Sequence, residues 1–366
     1  MDYEILLKHF LQKCKGDGVC ERTQSNTKHR LSLFFKWCGD REINTQLILD
    51  YLDYIDDYTF KRQGKTKKYS DSTKYQQKVA LHKFIKWHLP NIENPITLKA
   101  PKRKLPDALI DENDIEKLIK ACYHPRDAAL IAFLYESGCR KGEMLGLVIK
   151  SVHFDELGAV VTFPESKTGS RRIKVIWATS YLRTWIESHP RKDNPENPLF
   201  CSLRTPDTRL SEVGLHNQLK DIAARADIKK KLYPHLLRHS RATILAKHLT
   251  EQEMKTYLGW TQSSEMASVY VHLAGEDIDN SIMHMYGLEI PVRKEGELKV
   301  ISCPRCKRAI PASSSFCSTC GIPLTETMEK QLETEEVDLE GDLLEVLSSD
   351  KELAAKLLEM LNKLKK

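Results

Sequence analysis

Apolar positions recur at helical spacing through the first ninety residues. The stretch "TKHRLSLFFKWC" puts Leu31, Phe34, Phe35 and Cys38 on one face. "NTQLILDYLDYI" repeats Leu47, Ile48, Tyr51, Leu52 and Ile55 after an Asn44/Thr45 start signal, and "SDSTKYQQKVALHKFIKWHL" carries Leu81, Phe84, Ile85 and Leu89. Stripes of this period are helices that bury one side, so residues 1–90 predict a helical domain. "KRQGKTKK" at 61–68 interrupts the pattern and reads as a loop. Residues 90–106, "PNIENPITLKAPKRKLP", hold four prolines and a basic cluster. That chemistry predicts a linker over 91–106.

A second domain is expected over 107–290. "DENDIEKLIKAC" and "RDAALIAFLYESG" are helical, with Gly138 as a stop signal. "GAVVTF" and "RIKVIW" are β-rich runs around the turn "PESKTGSR", which predicts a hairpin. Helical patterns return at "VGLHNQLKDIAARA", "RHSRATILAKHL" and "EQEMKTYLGW". The fold class is therefore α+β: mainly α with a small antiparallel β-sheet. Beyond it come a cysteine module at 300–324 and an acidic stretch at 325–366. The latter ends in an amphipathic helix striped by Leu353, Leu357, Leu361 and Leu364.

Composition adds a partner. With 30% charged and 41% hydrophobic residues, the chain suits a soluble globular protein. No apolar run approaches the ~20 residues of a membrane span. "MDYEILLKHF" lacks the features of a secretion signal, which predicts a cytoplasmic, nucleoid-associated protein with no membrane partner. The net charge of +6 divides into +12 over residues 1–324 and −6 over the tail. A basic body favours a polyanion, most simply double-stranded DNA. Lys61, Arg62, Lys65, Lys67 and Lys68, with Lys102, Arg103 and Lys104 in the linker, are the candidate phosphate contacts.

Four of the ten cysteines fall in "CPRCKRAIPASSSFCSTC". C-x2-C, ten residues, C-x2-C presents two thiolate knuckles that can close around one Zn²⁺. Cys303, Cys306, Cys317 and Cys320 would fill all four positions, so the zinc is expected to be structural. The module resembles a zinc ribbon. The other six cysteines are scattered, as in a reducing compartment.

"YPHLLRHSRAT" at 233–243 raises a narrower question. His235 and His239, four apart, could grip a metal from one helix face. His235 and Arg238, three apart, could instead hold a phosphate. The order of four stretches decides between them. "SGCRKGEMLGL" with Arg140, "SKTGSRR" with Lys167, "PHLLRHSRAT" with His235 and Arg238, and "YLGWTQSSEMASVYVH" with Trp260 and Tyr270 together resemble the catalytic domain of the tyrosine recombinases. This is the phage integrase and Xer-type family, and the chain is similar to its archaeal members. The likeness covers about residues 25–290, including a helical core-binding domain before the linker.

The resemblance implies a site-specific DNA recombinase. Tyr270 would attack a phosphodiester and conserve its energy in a 3′-phosphotyrosyl bond. Arg140 and Arg238 would fork onto the non-bridging oxygens. Lys167, at a hairpin tip, would protonate the leaving 5′-oxygen. His235 would handle protons, with deprotonation of the tyrosine as its task. His239 is left as a structural neighbour and Glu143 as an orienter of Arg140. Most family members carry histidine where this chain has Trp260, whose N–H can donate but cannot exchange a proton. Catalysis would need no cofactor. A homotetramer on paired sites is implied, and the segment after Tyr270, with Ile278, Ile282 and Met285 at helical spacing, would dock on a neighbouring subunit. Two alternatives remain at this point: a recombinase-derived DNA-binding protein that no longer cuts, and a topoisomerase-like relaxer.

Overall fold

The computed structural model describes residues 3–62, 64–101, 105–106, 108–166, 169–273, 285–286 and 298–325, without the side chains of 62, 164–166, 169–170 and 272–273. Two compact units divide the chain at Lys104/Leu105.

The first unit holds α1 (Tyr3–Gly16), α2 (Glu21–Cys38), α3 (Thr45–Asp57), strands β1 (Thr59–Arg62) and β2 (Lys65–Lys68), and α4 (Asp71–His88). The expected stripes form its core. Leu31, Ile48, Phe84 and Ile85 are each 0% exposed, with Phe34, Tyr51, Ile55 and Leu81 packed beside them. Asn44 starts α3 by accepting the Leu47 N–H at 2.9 Å, and Ser70 starts α4 by accepting that of Thr73 at 3.2 Å. Each side chain satisfies one orphan donor of a helix start.

Two expectations change here. Residues 61–68 are not a loop but most of an antiparallel hairpin pairing Thr59 with Lys68 and Arg62 with Lys65. Gly64, at φ 73, makes the turn, and stacked Tyr58 and Tyr69, 4.9 Å apart, close the hairpin's base. Nor does the linker begin at 91. Ile96 is buried in the first core, and the Asn94 carboxamide bonds the Ile96 N–H at 3.2 Å and His82 Nδ1 at 3.1 Å. An apolar side chain within reach of a core buries itself even from a proline-rich segment.

The second unit begins with α5 (Glu112–Lys120), α6 (Pro125–Ser137), α7 (Lys141–Leu145) and a 3-10 turn (Ile149–Ser151). Strands β3 (Val152–Phe154), β4 (Ala159–Ser166) and β5 (Gly169–Val175) form an antiparallel sheet in that order. Helices α8 (Thr179–Glu187), α9 (Glu212–Arg225), α10 (Pro234–Leu245), α11 (Glu251–Leu258) and α12 (Met266–Leu273) follow, then the short strands β6 (Val300–Ser302) and β7 (Ala309–Pro311). The predicted mostly helical fold with small antiparallel sheets is what is found.

Helix α6 is apolar nearly all round, and a helix of that kind is buried on every side. Residues 129–135 are each 0% exposed, packed among α5, α8, α10 and β5. In its last turn the buried Glu136 accepts the N–H groups of Ile176, Trp177 and Ala178 at 2.8, 3.2 and 2.7 Å, fixing the turn that leads into α8. The cysteine module packs β7 against α8. Among the described residues no helix is long and apolar enough to cross a membrane.

Candidate active site

The C-terminal ends of two helices create the site. Helix α6 stops at Gly138 in the left-handed region, φ 54. A Cβ there would lie 2.9 Å from Leu258 Cδ2, so the backbone turns where a side chain would not fit. Helix α11 ends likewise at Gly259, φ 65. The last carbonyls of a helix lack partners and carry partial negative charge, and here two arginines supply the donors. Arg238 gives Nη1 to the Gly138 carbonyl at 2.7 Å and Nη2 to that of Leu258 at 2.8 Å. Arg140 gives Nη2 to the Gly259 carbonyl at 2.7 Å.

One carboxylate braces this cluster. Glu143 accepts the backbone N–H of Arg140 at 2.8 Å, its Nη1 at 2.8 Å and Arg171 Nη2 at 2.7 Å. Burial pushes the Glu143 carboxyl upward, but Arg171 and the Arg140 bonds outweigh it and hold the group below its ordinary pKa. Arg171 also donates to the Tyr257 carbonyl and lies 4.3 Å over the Phe163 ring. Two guanidiniums bond this carboxylate and a third, Arg238, lies nearby, so the cluster is left positive. Arg238 is 4% exposed. Burial first and Arg140 second bring its pKa down to about 10, so it stays charged at neutral pH. A buried positive excess of this kind is built for an anion.

The tyrosine stands next to it. Tyr270 on α12 is 1% exposed, and its ring stacks on Trp260 at 5.7 Å with planes 9° apart. Trp260 in turn faces the Arg238 guanidinium, 5.4 Å from ring centroid to Cζ. Burial raises the Tyr270 phenol to about 12, against a lowering pull from Arg238. The resemblance gives deprotonation of the tyrosine to His235; the contact of the Tyr270 hydroxyl in the structure is with Nδ1 of His239. Four residues of helix advance by ~6 Å, so His235 sits at the exposed first turn of α10 while His239 lies one turn deeper. The two imidazoles meet edge to face at 5.1 Å. Desolvation, then Arg238, Arg140 and Lys141, lowers the His235 pKa.

Arg140, His235, Arg238, Trp260 and Tyr270 are therefore brought together. Lys167, Lys102, Arg103, Lys104, Ile278 and Ile282 lie outside the described residues, as does the C-terminal leucine stripe; Met285 is exposed. Lys61, Lys65, Lys67 and Lys68 are exposed on the hairpin of the first unit, and the Arg62 side chain is not described. Sequence reasoning missed two residues. Arg171 is flagged only as the second half of "SRR", and His239 only by its four-residue offset from His235.

The cysteines make a separate centre. Sγ atoms of Cys303, Cys306, Cys317 and Cys320 all lie within 4.8 Å of one another. Cys303–Cys320 and Cys306–Cys317 are each 3.6 Å apart. Tetrahedral Zn²⁺ with Zn–S bonds of about 2.3 Å needs sulfurs about 3.8 Å apart, so the residues fit that ion. Although burial opposes it, backbone N–H groups of Cys306 and Arg305 lower the Cys303 pKa toward the thiolate that a metal binds.

Comparison with known proteins agrees with this geometry. Residues 108–276 match the phage integrase family. The chain is 25% identical over 207 residues to tyrosine recombinase XerA of Saccharolobus solfataricus, covering 56% of this chain and 65% of that protein. It is 26% identical over 285 residues to XerD of Oceanobacillus iheyensis, covering 72% and 91%, and 32% identical over 197 residues to XerC of Alcanivorax borkumensis, covering 50% and 61%. The first and third matches span just under two thirds of those recombinases' own length. A Tn1549 transposon integrase in complex with transposon right end DNA superposes with TM-score 0.60 at 14% identity, covering 77% of this chain and 99% of that one. A lambda integrase dimer bound to a core site gives 0.56 at 16% identity, covering 73% and 76%. At such identities the likeness is one of fold. Residues 108–276 thus carry the match to the phage integrase family, and the chain is similar there and beyond to the Xer tyrosine recombinases.

Proposed function

We propose that the chain is a site-specific DNA recombinase that cleaves and rejoins strands through a covalent 3′-phosphotyrosyl intermediate. The observation that carries this reading is the pair of guanidiniums, Arg140 and Arg238, fixed on helix-end carbonyls beside the buried Tyr270. Each keeps N–H groups for a phosphate beyond those already engaged, since a guanidinium has five. Tyr270 attacks the phosphorus, and the negative charge that grows on the non-bridging oxygens meets donors already in place. His235 and the Trp260 indole N–H complete the phosphate's contacts. Lys167 protonates the leaving 5′-oxygen. This chemistry uses protein groups alone.

The hairpin lysines and the basic linker track the DNA backbone, and pairing of two sites requires a tetramer, one nucleophile per strand. The four cysteines hold a structural Zn²⁺. With every coordination position filled by protein, the ion has no place for water or a phosphate, and its binding energy folds a segment too short to bury a core of its own.

The test uses a nicked duplex carrying a site that the chain selects from a random-sequence pool. The wild-type chain should form an adduct that survives denaturing electrophoresis, and Arg238→Lys should form it roughly 10²–10³ times more slowly, the scale of one lost oxyanion donor. Lysine does not rescue because it lacks the two-pronged fork. Tight binding with no adduct from the wild-type chain would replace this reading by DNA binding without cutting.

A further inference from the structure

We infer that His239 is the base that accepts the Tyr270 proton as the tyrosine attacks, an inference that rests on the cleavage reading above. His239 is the histidine in contact with the reacting oxygen. His235, which stands where the family resemblance looks for a proton-handling group, meets His239 edge to face and not the tyrosine.

The surroundings fit an acceptor. Trp260 lies flat against one face of the Tyr270 ring, so the hydroxyl has a fixed place and the imidazole a fixed target. The charged and titratable groups facing His239 are His235 and Arg238 from its own helix and Tyr270 from α12. Desolvation, then His235 and Arg238, brings the His239 pKa down to about 4. The ring is therefore neutral throughout pH 5–8, and a neutral imidazole can offer one nitrogen as an acceptor while the other keeps its proton. Proton transfer across this contact requires the tautomer in which Nδ1 is that acceptor and Nε2 holds the proton. A base so weak in the free protein gains strength when it is needed. An arriving phosphate carries a negative charge that offsets Arg238, and a nearby negative charge favours the imidazolium.

The step balances as follows. Tyr270 Oη bonds to phosphorus, its proton passes to His239 Nδ1, and the bond from phosphorus to the 5′-oxygen breaks. That oxygen takes a proton from a separate acid, assigned above to Lys167. On religation the 5′-hydroxyl attacks, and His239 returns its proton to the departing phenolate. The base of one direction is the acid of the other.

The experiment measures single-turnover cleavage of the nicked duplex described above by the full chain and by His239→Gln. Glutamine can still accept a hydrogen bond from the tyrosine but cannot take up its proton. The variant should bind the duplex as before and cleave it roughly 10²-fold or more slowly at pH 7. Its rate should climb about tenfold per pH unit through pH 7–9, as the phenolate fraction grows, whereas the wild-type rate stays nearly flat. A 5′-bridging sulfur in the duplex, a leaving group that needs no proton, should leave the defect in place. An adduct formed by His239→Gln at the wild-type rate, or a defect cured by the sulfur, would overturn the inference alone. No adduct from the wild-type chain would remove the cleavage reading and the inference with it. A second measurement does not depend on any variant: nitrogen NMR of the wild-type chain should show His239 Nδ1 unprotonated at pH 7, and a protonated Nδ1 would overturn the assignment.

Discussion

Replacing Glu143 with glutamine tests how the cluster is held. The carboxylate accepts three bonds at 2.7–2.8 Å from two arginines, and its side chain is 8% exposed. Two unit charges 4 Å apart attract by about 4 kcal/mol at an effective dielectric of 20, and breaking a buried pair from one side costs about 3–5 kcal/mol because a charge is left without a partner. Glutamine keeps an acceptor oxygen but turns an N–H₂ group toward guanidiniums, so we expect a loss of about 3 kcal/mol. The assay is urea unfolding of the full chain, read as a midpoint shift with the slope unchanged. Two further readouts separate charge from packing. The folded-state pKa of Glu143 is depressed, so its contribution is complete above the unfolded value of about 4.3 and fades as pH falls toward the folded one. The gap between wild type and variant should therefore narrow below about pH 4. Sulfate should stabilise the variant more than the wild type, because it can occupy the place of the missing anion. A midpoint unchanged at pH 7, or a gap indifferent to both acid and sulfate, would refute the reasoning.

Three more outcomes are expected. Gly259→Ala should lower thermal stability by more than about 1 kcal/mol, because φ is 65 and the new Cβ would lie 2.8 Å from Arg171 Nε; an unchanged melting temperature would contradict the fit. Changing Lys65, Lys67 and Lys68 to alanine should flatten the salt dependence of DNA affinity by roughly 0.9 in log–log slope per lost phosphate contact, and an unchanged slope would remove the hairpin from the DNA path. Elemental analysis should find about one zinc per chain, lost when Cys303 and Cys306 become serine, with a pre-nicked duplex still cleaved at saturating DNA; a cleavage step stopped by metal removal would contradict a structural role.

The helices of both units were legible because each buries a stripe of period 3.6, and Gly138 marked the end of α6 because only the left-handed turn suits it there. The hairpin at 59–68 was not legible. Its strands carry lysines where a half-buried strand shows alternation, and it is closed by Tyr58 and Tyr69, which bracket the segment from outside. Arg140, Arg238 and Tyr270 were readable from the order of short motifs. The contacts that organise them were not, since Arg171 meets Glu143 and Tyr257 across 28 and 86 residues, and His239 meets Tyr270 across 31. No local pattern encodes a meeting of that range. It follows from how α10, α11 and the sheet pack around α6.

The central claim is that Tyr270 becomes joined to DNA. The trapped adduct from the nicked duplex can be digested with protease and nuclease and the remaining peptide sequenced by mass spectrometry. The account predicts a nucleotide attached through its 3′-phosphate to the peptide containing Tyr270, and no such peptide from Tyr270→Phe. A nucleotide on the peptide containing Tyr257 or Tyr286, or an adduct that persists in Tyr270→Phe, would contradict it.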